Sequence, residues 1–134
     1  MKPSTVLIID DSEDDVLLTT AVLAKIGKGL RMESALGGEE GLSLLRSAEK
    51  LPALVLLDLK MPAIDGIEVL RRIRENEKTA RLTVVIVTNS DLEADRKSAF
   101  NAGADDFLHK SYDLDKFRKD LEQVLERRID AKFP

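Results

Sequence analysis

The chain has no cysteine. That absence removes disulfides, Cys-based zinc sites and thiol catalysis together. Its only histidine, His109, lies in a short strand-like run and reads as a packed or surface strand residue, not as a phosphate carrier. No apolar run reaches the roughly 18 residues of a membrane span. The opening MKPSTVLIID lacks the long apolar stretch of a secretory leader. There is no internal repeat, no low-complexity tract and no Pro/Gly-rich linker. A basic stripe is missing too: the net charge is -4. Arg71, Arg72, Arg74, Arg127 and Arg128 fall in helical patterns and read as solvated faces. Neither a Walker A pattern nor G-x-G-x-x-G occurs. The expectation is a cytoplasmic protein with no membrane or direct nucleic-acid partner.

What is present suits one domain. The chain has 134 residues, 43% of them apolar, enough for a core. Three short runs, Val6 to Ile9, Leu54 to Leu57 and Val84 to Val87, are rich in Val, Ile and Leu without alternation. Strands buried on both faces read this way, as in a parallel sheet covered by helices. Leu30 to Leu36 and Asp106 to His109 are weaker strand candidates. Between them lie helical patterns. Ser12 and Asp15 form an S-x-x-D box that opens a helix to about Ile26, stopped by Gly27 and Gly29. A second helix runs from Glu39 to about Glu49. Asp65 caps a third, with Ile67, Leu70 and Ile73 on one face. Ser90 or Asp91 caps a fourth, which ends at Gly103. Asp113 caps a fifth, with Leu114, Phe117, Leu121 and Val124 at helical spacing. Strand and helix thus alternate five times. The fold class is α/β, a three-layer (βα)5 doubly wound parallel sheet, in a single domain over residues 1–134 with its core over about 5–128.

In open parallel sheets, ligands bind beyond the carboxyl ends of the strands. At those ends stand Asp10 and Asp11, Asp58, Thr88 and Asn89, and Lys110. Two carboxylates about 5 Å apart repel by about 3 kcal/mol at an effective dielectric near 20. Three need a proton or a cation among them. Lys110 supplies one positive charge. The remaining donors are all oxygens, which favours Mg²⁺, or Mn²⁺, over zinc. Asp10 to Asp15 is not a calcium loop: its sixth and twelfth positions hold Asp15 and Ala21 in place of Gly and Glu. Asp14 and Asp15 read as first-turn acids that favour the helix dipole. Asp105 and Asp106 read as turn residues, Gly37-Gly38 as a turn, and Met61-Pro62 and Asp65-Gly66 as shaping the loop over the site.

The stretches VLIIDD, LLDLKMPAIDG, VIVTNS and GADDFLHK, in this order over about Val6 to Glu126, resemble the receiver domain of two-component response regulators. The resemblance implies the flavodoxin-like strand order 2-1-3-4-5. It implies that Asp58 is the phosphoacceptor, taking a phosphoryl group from a phosphohistidine on a sensor histidine kinase or phosphotransfer protein. Asp11, Asp58 and the Lys60 backbone carbonyl would ligate Mg²⁺, and Asp10 would hold it through water. Lys110 would pair with Asp58 and then with a phosphoryl oxygen. Thr88 and the Asn89 backbone N–H would bond the other oxygens. Thr88 and Phe107 would act as the switch, moving the face of helix four, strand five and helix five toward a downstream protein target, with a homodimer through that face possible in such a family. Phe107 lacks a hydroxyl, so an inward ring is expected even without phosphate.

The chain departs from the family pattern at Ser111, where the family usually has a cis proline. A trans Lys110–Ser111 bond is expected, since cis before a non-proline costs about 2.5–4 kcal/mol. Lys110, Ser111 and Leu114 match the K-S-x-x-L pattern of stand-alone receivers that serve bacteriophytochromes. The expectation is a stand-alone receiver or one excised from a longer protein. It is a signalling phosphoacceptor, not an enzyme on an external substrate. Lys60, two after Asp58, could shield the phosphoryl group from water and slow self-hydrolysis. Two alternatives stand beside this reading. A metal-dependent phosphohydrolase with an aspartyl nucleophile would want a second acid where Lys60 stands. A degenerate receiver used as a scaffold would not need the full set Asp10, Asp11, Asp58, Thr88 and Lys110.

Overall fold

The computed structural model describes residues 4–111 and 113–130. Five strands, β1 (Thr5–Ile9), β2 (Arg31–Ala35), β3 (Leu54–Leu57), β4 (Val84–Thr88) and β5 (Asp106–His109), alternate with five helices, α1 (Glu13–Ile26), α2 (Gly38–Ser47), α3 (Gly66–Glu75), α4 (Glu93–Asn101) and α5 (Leu114–Leu125). A π-helical turn, Glu126–Asp130, continues α5. The strands are all parallel, in the order β2-β1-β3-β4-β5. This is the expected doubly wound sheet.

Successive strand side chains point to opposite faces, so the apolar runs feed two cores at once. Leu7, Ile9, Val55, Leu57, Val84 and Ile86 pack with Leu42 and Leu45 of α2, Val69, Leu70 and Ile73 of α3 and Ala99 of α4. Val6, Ile8, Leu54, Leu56, Val85 and Val87 pack with Val22 and Leu23 of α1 and Phe117, Leu121 and Val124 of α5. Two helices therefore cover one face and three the other. The edge strands are the less apolar ones. In β2 only Ala35 is buried, with Arg31, Glu33 and Ser34 exposed, and His109 is exposed on β5.

Caps account for most helix starts. Ser12 accepts from the Asp15 N–H at 3.2 Å, Asp65 from Glu68 at 3.0 Å, and Asp113 from Asp115 and Lys116. Each satisfies an N–H that the helix itself leaves unpaired. Gly27 ends α1 at φ 86°, a backbone that favours glycine, with its N–H on the Leu23 carbonyl.

Several expectations need correction. Helix α4 begins at Glu93, with Leu92 at its cap position and no side-chain cap. Ser90 is drawn instead to Asp95 on the helix itself. Helix α2 starts at Gly38 and ends at Ser47, so Glu49 lies outside it. Leu114 is 49% exposed; the buried stripe of α5 begins at Phe117. Asp105 and Asp106 are more than turn residues. The Asp105 carboxylate accepts from the Val84 N–H and from Arg74. Asp106 opens β5 and pairs with Arg127 at 2.8 Å. The described residues contain no cis peptide bond, so Lys110–Ser111 is trans.

Candidate functional site

The sheet register builds the site. Ile9 pairs with Leu57, so the next residues, Asp10 and Asp58, leave neighbouring strands side by side. The Asp58 N–H donates to the Ile9 carbonyl at 3.0 Å, and the Asp10 N–H to the Ala35 carbonyl at 3.1 Å. Both carboxylates are buried, while Asp11 is exposed. Oxygens of Asp10, Asp11 and Asp58 lie within 4.8 Å of one another. On the other side, Thr88 pairs with His109, and the following Lys110 N–H donates to the Thr88 carbonyl at 2.7 Å. Four strand ends thus deliver the predicted residues to one edge.

The Lys110 ammonium lies 2.7 Å from Asp10 Oδ2 and 3.9 Å from Asp58 Oδ1. Asp10 uses its other oxygen to accept from the Ser12 N–H at 3.0 Å. Burial pushes the Asp58 carboxyl up to about 6; Lys110 pulls it down, and the charges of Asp10 and Asp11 push it further up. Burial opposes the charge on Lys110, but hydrogen bonds to Asp10 and Asp15 and the charge of Asp58 outweigh it and raise its pKa. The cup therefore carries negative charge that one lysine does not balance. All its side-chain acceptors are carboxylate oxygens, the donor set of a hard divalent cation.

Asp15 was missed as a site residue. Its Oδ2 lies 2.9 Å from the Lys110 ammonium, in addition to its place in the first turn of α1. No spacing rule reveals a contact across 95 residues of chain. The available signal was only that this turn follows directly from the end of β1.

Lys60 is exposed and salt-bridged to Asp95 of α4 at 3.2 Å. Asp95 also accepts from the Ser90 hydroxyl. That hydroxyl above all holds the Asp95 carboxyl below its ordinary value; burial opposes it, and the hydrogen bond and charge of Lys60 add to the lowering. Thr88 is fully buried, and its hydroxyl accepts from the Ser90 N–H at 3.2 Å. The Asn89 carbonyl lies 2.9 Å from the exposed His109 ring. Phe107 is half-buried, packed against the α2–α3–α4 core. The Arg96 guanidinium sits over the rings of Phe100 and Phe107 at 5.2 and 5.8 Å.

PilH of Pseudomonas aeruginosa is 33% identical over 120 residues, which are 90% of this chain and 96% of PilH. AfsQ1 of Streptomyces coelicolor, a transcriptional regulatory protein, is 40% identical over 81% of this chain, but the match spans only 44% of AfsQ1. Among solved structures, the Mn²⁺-bound form of response regulator Rcp1 superposes with a TM-score of 0.81 at 28% identity, covering 92% of this chain and 93% of that one. Among the described residues, no helix is long and apolar enough to cross a membrane. A family model for the response regulator receiver domain matches residues 6–122, and the chain belongs to that family.

Proposed function

We propose that this receiver is a phosphoacceptor in which Asp58 takes a phosphoryl group from a phosphohistidine of a sensor histidine kinase or phosphotransfer protein. The observation that carries the reading is a buried Asp58 carboxylate grouped with those of Asp10 and Asp11, with the Lys110 ammonium 3.9 Å away. An Asp58 oxygen forms a bond to phosphorus as the P–N bond of the donor breaks. The electron pair of that bond returns to the imidazole. A bound Mg²⁺ or Mn²⁺ would neutralise phosphoryl oxygens in flight. Asp10, Asp11, Asp58 and the Lys60 carbonyl are the groups that would hold it. Lys110 then stabilises charge that develops on the transferred group. Thr88, with the Asn89 N–H, would meet the remaining oxygens. Loss of the Thr88 hydroxyl from the Ser90 N–H would pass the change to α4 and Phe107.

Such a protein turns over only its own aspartyl phosphate. The output is a changed α4–β5–α5 face for a downstream protein, or for a second copy of the chain. The Lys110, Ser111 and Leu114 pattern favours a photoreceptor kinase as the donor.

Incubation with acetyl phosphate and Mg²⁺, followed by intact mass, tests the reading. The chain is expected to gain one phosphoryl group, and Asp58→Ala to gain none. Sustained release of phosphate from simple esters would instead support an aspartyl phosphohydrolase. No modification by any donor would leave a scaffold.

A further inference from the structure

The Lys110 ammonium has three N–H donors. Asp10 takes one at 2.7 Å and Asp15 another at 2.9 Å, while Asp58 stands off at 3.9 Å. The lysine side chain is 10% exposed, so this competition between carboxylates is not dissolved by solvent. Asp14, the preceding acid on the same helical turn, is exposed and shares the α1 dipole. The dipole therefore does not require Asp15 to reach the lysine.

We propose that Asp15 is a positioning residue for Lys110. Sharing the ammonium with Asp10, it holds the charge off Asp58 and leaves that carboxylate open to a divalent cation and to phosphorus. Without the Asp15 charge, the ammonium has two remaining anions, Asp10 and Asp58, and moves between them. It then occupies an Asp58 lone pair and repels a cation bound in the same cup. The inference rests on reading Asp10, Asp11 and Asp58 as that cup.

Mn²⁺ binding, followed by electron paramagnetic resonance of the free ion, tests it on the full chain. Asp15→Asn is expected to weaken Mn²⁺ binding threefold or more, and Asp14→Asn to weaken it less than threefold. A second comparison isolates the route through the lysine. In a Lys110→Met background, Asp15→Asn is expected to change Mn²⁺ affinity less than threefold. Equal effects of the Asp14 and Asp15 variants would overturn the proposal and leave Asp15 a first-turn acid. So would an undiminished Asp15 effect in the Lys110→Met background, which would make it a matter of charge alone. A wild-type chain that binds no Mn²⁺ would overturn the reading of the cup, and this inference with it.

Discussion

Gly66 lies against the backbone of Asp58. A Cβ at position 66 would stand 2.1 Å from the Asp58 carbonyl oxygen, and the Gly66 N–H donates to the next carbonyl, that of Leu59, at 2.8 Å. The start of α3 is thus pressed onto the segment that carries Asp58. Gly66→Ala cannot be absorbed by a side-chain shift, because the obstacle is main chain. It is expected to cost about 2 kcal/mol or more, read by urea denaturation, and to weaken Mn²⁺ binding by displacing Asp58.

The carboxyl of Asp58 stands at about 6, against an ordinary 3.8. A raised value means that the fold favours the neutral form. Its contribution is complete below pH about 4 and is lost as pH rises through about 6, amounting to about 3 kcal/mol at most. In EDTA, the wild-type melting temperature should therefore fall relative to that of Asp58→Asn between pH 4.5 and 7. Mg²⁺ at pH 7 should recover the difference in the wild type and do nothing for the variant. Parallel pH curves for the two proteins would refute the burial argument.

Lys60 is tied to Asp95, and the pair links the loop after β3 to α4. Exposed pairs of this kind contribute about 0–1 kcal/mol, so Lys60→Asn should melt almost as the wild type does. Its acyl phosphate is expected to be lost several-fold faster, on the proposal that the Lys60 cation screens the phosphoryl group from water. Decay of the phosphorylated mass peak measures this, and an unchanged half-life would dismiss the screening role.

Arg74 joins α3 to the opposite end of the sheet. It donates to the carbonyls of Gly103, Ala80 and Leu82 and to the Asp105 carboxylate. These bonds use the planar fork of the guanidinium, which lysine lacks. Arg74→Lys should lose about 2 kcal/mol or more in urea denaturation, with Mn²⁺ affinity intact because the site lies at the other strand ends. A stability loss under about 0.5 kcal/mol would show that the carbonyls find other partners.

The fold was largely legible because β1, β3 and β4 are buried on both faces, and burial on both faces writes itself as an unbroken apolar run. The β2 edge was harder to read, since its side chains face water at most positions. In the site, Asp10, Asp11, Asp58 and Lys110 could be found because each ends a recognisable strand, and strand ends of a parallel sheet converge. Asp15 could not, for its helix-capping position already explained it. Ser90 reads as a cap for α4, but its hydroxyl donates to the Asp95 side chain five residues on, and no side chain caps the helix. At Asp15, one sufficient local explanation conceals a second, distant one.

An open sheet has two rims, each a row of unpaired peptide groups able to recruit a foreign strand. Here β2 carries exposed Arg31 and Glu33 along one rim. On the other, β5 has only four residues, of which Asp106 is the first and His109 the last. Charge and brevity blunt both templates. Growth of the sheet by a sixth strand is disfavoured, and with it the fibrous stacking of copies at high concentration.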